Sequence, residues 1–439
     1  MSALARWCKL SGVDVAGYDR VESAITRSLV ADTIDVHYND SVESIPQNFR
    51  INNQKTLVVY TPAVPDDMSE LEWFRSNGFN VIKRSRFLGE VTSDRYVMAV
   101  AGTHGKTTTS SMIAHFNRVV TSEGSAFLGG IAKNFNSNLV CGSGRRVAVE
   151  ADEFDRSFLQ LFPDVAVVTS ADPDHLDIYG TAEAVKDAFE QFIAQIKPGG
   201  ALVIKSGVNL KVPEGLKVYS YSVDCEADFC VENVWVDECG DYHFTLVMPD
   251  RKVENCHLGV PGWINVENCV AAAAALWCAG DVDEGKFRDA IASYCGVKRR
   301  LDFYVKTADR VYFDDYAHHP RELSASISSI RKIYPKRHLT AIFQPHLYSR
   351  TKDFARDFAE SLSLADRVIL LPIYPAREEP IEGVSSRLIF DDVSAEKYLV
   401  EKDELVDLLK VLKTDVVGTF GAGDIELLCE SVNNTIQNK

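Results

Sequence analysis

The segment AGTHGKTTTS, at residues 101–110, has the residue types and spacing of a phosphate-binding turn. Backbone N–H groups at the start of a helix bind phosphate oxygens, a lysine adds positive charge, and a threonine hydroxyl can bind Mg²⁺. Lys106 and Thr107 fill the last two positions, although the common GxxxxGK[ST] pattern would place glycine at Val100. The pattern predicts a nucleoside triphosphate site formed by Gly102, Thr103, His104, Gly105, Lys106, Thr107 and Thr108.

Acidic residues follow the next apolar segment. Glu150 ends the predicted strand 146–149, at the position where P-loop enzymes keep an acidic group for the metal. A run of further acids comes directly after it, at Asp152, Glu153 and Asp155. On the sequence alone, a solvated loop explains this run as well as a functional site does.

A second polar run follows the predicted strand 165–169. It contains Asp174, His175 and Asp177. A histidine that leaves a strand beside a phosphate-binding turn, between carboxylates, is suited to contact Mg²⁺ or phosphate. We therefore predict a metal site that includes Thr107, Glu150 and His175.

The last third of the chain offers an arginine pair and two polar loops. Arg299 and Arg300 could bring a guanidinium onto a transferring phosphate, or they could be a solvated domain boundary. The segments DDYAHHP (314–320) and QPHLYSRT (344–351) both follow predicted strands. Because open α/β sheets bind ligands where their parallel strands end, we expect both loops at one sheet edge.

Strand-like and helix-like segments alternate along the whole chain, which is typical of α/β folds with mostly parallel sheets. The pattern predicts strands at 13–19, 56–64, 80–83, 96–101, 302–304, 311–313, 339–345, 367–375 and 415–424. It predicts helices at 66–78 and 111–120. We expect three domains: a Rossmann-like domain at 1–93, a central P-loop domain at 94–296 and a second Rossmann-like α/β domain at 297–439.

Composition excludes several classes of function. The 439 residues include 63 acidic and 47 basic side chains, a net charge of −16, which argues against nucleic acid or an anionic membrane as a partner. The longest apolar run, 269–279, is too short to span a bilayer, and no secretory signal is visible. The ten cysteines show no CxxC pair, so we expect reduced thiols and a cytoplasmic protein.

The chain resembles the ATP-dependent Mur ligases of peptidoglycan synthesis over nearly its whole length. The resemblance rests on these motifs, in this order: GTHGKTTT, EADEFDRSFL, DHLDIYG, NVEN, GVKRRLDF, DDYAHHP, FQPHLYSRT and FGAGD. EADEFDRSFL followed by DHLDIYG is most similar to the branch that joins L-alanine to UDP-N-acetylmuramate. The resemblance implies a three-domain ligase that binds the UDP-sugar in the first domain, ATP in the second and the amino acid largely with the third.

The resemblance also implies a role for individual residues. Lys106 and Thr107 would hold the ATP phosphates and Mg²⁺, or Mn²⁺ in its place, and Glu150 and His175 would hold the metal. Asn265 and Asn268 resemble adenine contacts, Arg300 a phosphate-reaching arginine, and Asp315 a nucleotide contact. The residues gathered around the muramyl carboxylate and the amino acid would be His319, His346 and Arg350.

Three departures from the family pattern stand out. Leu347 and Arg377 lie in loops that vary across the family. Ile264 occupies the place of the histidine that usually precedes Asn265 in the adenine motif. Family members begin with a strand and a glycine-rich turn before the helix that reads MSALARW here, so we expect Met1 to be an internal methionine of a longer product.

Two other functions remain open on the sequence. The first is a sister ligase of the same family that recycles whole peptides onto the same sugar and shares the GTHGKTTT turn. The second is a nucleotide-binding regulator without catalysis, which Ile264 and the missing turn would fit.

Overall fold

The computed structural model describes residues 1–65, 67–173, 176–237, 240–280, 283–376 and 378–438. Their contacts form two compact units. The first contains Met1–Glu232, Thr245–Glu254 and Glu267–Tyr294. The second contains Asn233–Phe244, Asn255–Val266 and Cys295–Lys439. Each unit is built on its own large parallel sheet, so the predicted α/β class is confirmed.

The elements alternate along the chain as the sequence predicts. The strands are β1 (Ala16–Tyr18), β2 (Asp35–His37), β3 (Leu57–Tyr60), β4 (Asn80–Lys83), β5 (Tyr96–Ala101), β6 (Ser125–Ala132), β7 (Ser137–Val140), β8 (Arg146–Glu150), β9 (Val165–Val168), β10 (Ala201–Lys205), β11 (Lys217–Tyr221), β12 (Cys230–Val236), β13 (Tyr242–Met248), β14 (Arg251–His257), β15 (Asp302–Lys306), β16 (Val311–Asp315), β17 (Leu339–Phe343), β18 (Arg367–Leu370), β19 (Glu396–Leu399) and β20 (Val416–Phe420). The α-helices are α1 (Ser2–Leu10), α2 (Ala24–Ala31), α3 (Gln47–Arg50), α4 (Ser69–Ser76), α5 (Arg84–Thr92), α6 (Lys106–Thr121), α7 (Leu176–Tyr179), α8 (Ala182–Ala194), α9 (Trp263–Cys278), α10 (Glu284–Ala292), α11 (Pro320–Ile333), α12 (Tyr348–Leu362), α13 (Arg387–Asp392), α14 (Leu405–Val411) and α15 (Cys429–Gln437).

The first 93 residues contain two short parallel strand pairs, β1–β2 and β3–β4. The predicted strand at 80–83 is confirmed as β4, whereas the predicted strand at 13–19 shrinks to the three residues of β1. Ile45, Phe74 and Phe79 form a small buried cluster in this region. The two pairs share no ladder, so the single Rossmann-like sheet that the sequence predicts is here divided into two short sheets.

A seven-stranded sheet, in the order β11-β10-β9-β5-β8-β6-β7, forms the centre of the first unit. Its strands run parallel except β7, which is antiparallel to β6. The predicted strand 96–101 is confirmed as β5, whose apolar residues from Val97 onward are fully buried. The helix predicted at 111–120 instead begins at Lys106, because Gly105 supplies the left-handed residue that starts it.

Strands β12, β13 and β14 form a separate three-stranded sheet that the sequence analysis did not predict. The alternation of apolar side chains along β13 was its signal, since Tyr242, Phe244, Leu246 and Met248 are all buried. The prediction of one sheet continuing to about residue 296 is therefore wrong.

A six-stranded sheet, in the order β15-β16-β20-β17-β18-β19, organises the second unit. Five of its strands are parallel, and β15 is antiparallel to β16. Apolar clusters cover both faces, one with α11 and α12 and the other with α14 and α15. The parallel strands end beside one another, and this edge carries the polar loops.

No helix among the described residues is long and apolar enough to cross a membrane. No disulfide joins the cysteines within the described ranges.

Candidate functional site

The turn between β5 and α6 needs glycine at two positions. Gly102 has a φ of 142°, and a Cβ there would lie 2.0 Å from Thr169 Oγ1. Gly105 has a φ of 79° and precedes the first residue of α6, and a Cβ there would lie 2.9 Å from Asn268 Oδ1. Because larger residues would collide or be strained, the backbone can follow this path only with glycine. The unpaired N–H groups at the start of α6 then form an anion-binding cradle.

Side chains from the end of β9 fix this turn in place. The hydroxyls of Thr103 and Ser170 lie 2.8 Å apart, and the backbone N–H of His104 donates to Ser170 Oγ at 2.9 Å. Thr169 Oγ1 donates to the carbonyl of Ala101 at 3.2 Å. Sequence analysis missed Thr169 and Ser170, although their place directly after a strand beside β5 was a usable signal.

Lys106 is held at the start of α6 by two partners. Its ammonium donates to the carbonyl of Gly102 at 2.7 Å and lies 2.8 Å from both carboxylate oxygens of Glu153. Glu153 is 1% exposed, and burial raises the pKa of its carboxyl while the charge of Lys106 opposes that rise. The acidic run was therefore not only a solvated loop, since one of its members pairs with the phosphate-loop lysine.

Glu150 lies at the end of β8, as predicted. Its Oε2 accepts a hydrogen bond from the backbone N–H of Gly129 at 2.9 Å, and a Cβ at Gly129 would collide with that oxygen. Thr107 is the second residue of α6, next to Lys106, and is half-buried. A carboxylate and a hydroxyl are hard oxygen ligands that suit Mg²⁺. The predicted ligand His175 and its neighbour Asp174 lie outside the described residues, as does the side chain of Asp177.

The two asparagines predicted to contact adenine have different surroundings. Asn268 is buried, accepts a hydrogen bond from Thr109 Oγ1 at 3.1 Å, and lies against Gly105. Asn265 donates from its amide to the carbonyl of Pro261 at 2.7 Å. Ile264 is 42% exposed. Asn268 therefore lies at the phosphate loop, whereas the side-chain amide of Asn265 is hydrogen-bonded to a backbone carbonyl.

The neighbouring arginines of the second unit differ in their partners. Arg299 donates to the fully buried Asp314 at 3.0 Å, pairs with Glu426 at 3.0 Å, and has a φ of 62°. The Arg300 guanidinium lies 5.3 Å from the ring centroid of Tyr316 and forms no hydrogen bond with any described residue. Arg299 is thus engaged within the fold, and Arg300 has its donors available for a ligand.

Asp315 ends β16 and is almost fully buried. Its oxygens accept from the N–H groups of Leu301 and Ala317, at 3.1 and 2.9 Å, and from the hydroxyl of Ser326 at 3.0 Å. Burial raises its pKa to about 6, against the opposing charge of Arg300. The carboxylate predicted to contact nucleotide therefore anchors the backbone next to Arg300.

The two polar loops meet at the end of the six-stranded sheet. The rings of His318 and His346 lie 6.0 Å apart, edge to face, and His346 stacks on Tyr374 at 5.7 Å. Burial lowers the pKa of His318, and the charge of Arg350 adds to that effect. Arg350 Nη1 is buried and has no hydrogen-bond partner among the described residues.

His319, which the sequence favoured over His318, starts α11 instead. Its Nδ1 accepts from the N–H of Arg321 at 3.4 Å, and its backbone N–H donates to Glu322 at 3.2 Å. Its ring packs at 5.1 Å against Phe354. His318 is thus the histidine whose ring lies near His346, and a role of His319 near the muramyl carboxylate or the amino acid stays a prediction.

The loop before α12 contains a strained residue. Leu347 has a φ of 72°, although it is not glycine, and its backbone N–H donates to the carbonyl of Tyr374 at 3.0 Å. Such strain is costly and is usual where function fixes the backbone. The same loop is fixed by Gln344, which donates to Asp424 at 2.8 Å and accepts from the N–H of Ile425 at 2.9 Å.

Three family models match consecutive parts of the chain. They are the Mur ligase family catalytic domain at residues 1–96, the Mur ligase middle domain at 100–276 and the Mur ligase glutamate ligase domain at 299–423.

Curated relatives match over nearly the full length. The UDP-N-acetylmuramate–L-alanine ligase of Parabacteroides distasonis is 50% identical over 99% of this chain and 95% of its own, and that of Phocaeicola vulgatus is 48% identical over 97% and 93%. The crystal structure of the UDP-N-acetylmuramate-alanine ligase from Thermotoga maritima is similar with a TM-score of 0.83 at 27% identity, covering 100% of this chain and 97% of that one. The murein peptide ligase of Psychrobacter arcticus shares the fold, with a TM-score of 0.69 at 21% identity, covering 100% of this chain and 97% of that one. The chain belongs to the Mur ligase family.

Proposed function

We propose that this chain joins L-alanine to the lactyl carboxylate of UDP-N-acetylmuramate at the expense of ATP, a step of peptidoglycan precursor synthesis. One observation carries the proposal: relatives with 50% and 48% identity over nearly the whole chain are named as ligases of these two substrates. The phosphate loop from Gly102 to Thr107 supplies the chemistry that such a ligase needs.

A carboxylate does not condense with an amine in water, so it must first be activated. A lactyl carboxylate oxygen attacks the γ-phosphorus of ATP, the bond to the β-phosphate oxygen breaks, and an acyl phosphate and ADP form. The amine of L-alanine then attacks the acyl carbon and loses a proton, and phosphate leaves from the tetrahedral intermediate. Such transfers depend mainly on positioning and on neutralising charge.

Lys106 provides positive charge for the ATP phosphates at the first turn of α6. In the structure this ammonium is paired with the carboxylate of Glu153. When a triphosphate binds, its phosphate oxygens would replace part of that contact. Arg300 has an uncommitted guanidinium, which suits a phosphoryl group in transfer. We assign both residues to charge neutralisation.

We propose Mg²⁺ as the metal, with Mn²⁺ as a substitute, held by Thr107 and Glu150 and by His175. The oxygen donors of Thr107 and Glu150 fit a hard cation. When bound, the ion would neutralise charge on the transferring phosphate. The protein's own part is to hold Glu150 in place through the N–H of Gly129.

The edge of the second unit is suited to carboxylates. Arg350 contributes a buried N–H group that has no hydrogen-bond partner among the described residues. Its charge acts on His318, whose ring centroid lies 6.0 Å from that of His346. We propose that Arg350 and His346 orient the muramyl carboxylate or the carboxylate of L-alanine, and that Asp315 holds the backbone next to Arg300. Because ATP is the proposed second substrate, we propose that the reaction takes place in the cytoplasm.

The test separates this reaction from the two alternatives. Phosphate release from Mg-ATP is measured with UDP-N-acetylmuramate, first with L-alanine and then with a tripeptide that has a free N-terminal amine. We expect release with L-alanine that exceeds release with the tripeptide. Preference for the tripeptide would identify the recycling ligase, and ATP binding without substrate-dependent release would identify a regulator.

A further inference from the structure

Three aromatic side chains form a row across the sheet β12-β13-β14. Trp235 stacks on His243 with ring centroids 4.0 Å apart, and His243 stacks on His257 at 4.8 Å. None of these residues belongs to the phosphate loop or to the polar edge described above. The row lies within the second unit.

Strand pairing explains why these rings meet. The N–H of Leu258 donates to the carbonyl of Tyr242 at 2.9 Å, so the next residues inward, His243 and His257, face each other. A positive φ of 56° at Asn255 marks an irregularity in β14 just before this pair. Because Tyr242 and Phe244 point into the core, His243 points to the opposite, more open face.

A carboxylate completes the group. Asp237 Oδ2 lies 3.1 Å from His243 Nε2, at the turn that joins β12 to β13. One donor atom from each of Asp237, His243 and His257 lies within 4.8 Å of the others. All three side chains are partly accessible, so an ion could reach them from solvent.

Another acid near the row has a partner of its own. Asp241 forms an ion pair with Lys306, and its oxygen is 3.9 Å from His257 Nε2, which is too long for a hydrogen bond. A carboxylate neutralised by a lysine is a poor metal ligand. Asp237 is therefore the carboxylate best placed to share an ion with the two histidines.

We propose that Asp237, His243 and His257 form a binding site for a divalent transition-metal ion of the zinc type, separate from the Mg²⁺ site. Two imidazoles and one carboxylate favour Zn²⁺, Ni²⁺ or Co²⁺ over Mg²⁺, which prefers oxygen ligands. Bonds of about 2.1 Å place the ligand atoms of one tetrahedral ion roughly 3.4 Å apart. Asp237 Oδ2 and His243 Nε2 are already 3.1 Å apart, and a pair at the 4.8 Å limit would need to approach by about 1 Å. The site ties β13, β14 and the β12–β13 turn together and keeps a coordination position for water.

The test is a titration of the full chain with Zn²⁺ in the presence of excess Mg²⁺. We expect one Zn²⁺ to bind per chain at this site and to raise the melting temperature. His257→Gln should weaken this binding by at least about 100-fold, because even the loss of a supporting contact to a ligand costs 10–100-fold. His338→Gln changes an exposed histidine elsewhere and should bind Zn²⁺ as the parent does.

Two further measurements keep the result specific. Trp235→Phe removes no donor atom and should keep the site; loss of binding in this variant as well as in His257→Gln would mean that sheet disruption is responsible and would overturn the proposal. Co²⁺ in place of Zn²⁺ should give visible absorption without a thiolate charge-transfer band. A thiolate band, or equal binding by His257→Gln and the parent, would place the ion elsewhere and also overturn it. Alanine-dependent phosphate release under Mg²⁺ should be unchanged in His257→Gln, so this result stands apart from the proposed ligase function.

Discussion

The phosphate loop of the first unit and the polar edge of the second unit are built in different ways. The loop is contiguous: Gly102 to Thr107 form it with backbone N–H groups, and two glycines make its path possible. The edge is assembled from two separate segments, since His318 follows β16, whereas His346 and Arg350 follow β17. A site formed by backbone N–H groups can therefore be recognised from a short sequence motif. A site formed by side chains from separate loops cannot, because the role of each side chain depends on which residues it packs against in the fold.

The largest effect should come from the loop. Lys106→Ala removes the charge that faces the transferring phosphate, and cationic groups in phosphoryl transfer contribute about 10³-fold or more to kcat. We expect ADP formation to fall by at least about 10³-fold while the chain stays folded. Measured turnover close to the parent's would contradict the role of Lys106.

Arg299 and Arg300 are neighbours in the second unit, and we expect one to act on stability and the other on catalysis. Arg299→Ala breaks a buried ion pair with Asp314, which costs about 3–5 kcal/mol and should lower the melting temperature by about 10 °C. Arg300→Ala should lower kcat by about 10²-fold or more and leave the melting temperature nearly unchanged. Thermal unfolding and steady-state kinetics are measured for both variants. A loss of kcat without a loss of stability in Arg299→Ala, together with a loss of stability in Arg300→Ala, would contradict the roles given to the two arginines.

The raised pKa of Asp315 predicts that the stability of the protein depends on pH. Its native pKa of about 6 lies above its ordinary value of 3.8, so the native state holds this proton more tightly than the unfolded state does. Its contribution is complete below about pH 4 and is lost as the pH rises through 6. The parent should therefore gain more stability than Asp315→Asn when the pH falls from 8 to 5. Urea unfolding gives the free energy of unfolding of both proteins at both pH values. An equal change in this free energy for the two proteins would contradict the role of Asp315.

The smallest effect concerns the two neighbouring histidines. His319→Ala should cost about 1 kcal/mol of stability, because His319 caps the start of α11, and should change kinetics little. His318→Gln should raise the KM for a substrate carboxylate with little loss of stability, because its ring contacts His346. A kinetic defect confined to His319→Ala would contradict this expectation and support the site role that the sequence predicts for His319.

The sequence predicts strands and the phosphate loop well, for a physical reason. Strand β5 is a continuous apolar run that ends at a glycine-containing turn, so its start and end can be recognised from the local sequence. The start of α6 was misplaced by five residues, because only the conformation of Gly105 reveals that Lys106 is already helical. The sheet β12-β13-β14 was missed because its strands lie in a part of the chain that follows the strands of the parallel sheet, and the sequence analysis treated them as its continuation.

Side-chain partners could not be predicted in the same way. The acidic run after β8 did not reveal that Glu153 is buried against Lys106, because burial is decided by distant segments. The motif DDYAHHP likewise did not reveal which histidine caps the helix and which faces His346. Motif spacing places such residues near a site, and packing assigns their roles.

The most direct test follows one oxygen atom. UDP-N-acetylmuramate carrying ¹⁸O in its lactyl carboxylate is incubated with the chain, Mg-ATP and L-alanine, and the released phosphate is analysed by mass spectrometry. Activation through an acyl phosphate predicts that each phosphate released carries one oxygen from the carboxylate and that release requires L-alanine. Phosphate without the label, formed at the same rate with or without L-alanine, would contradict the ligase account.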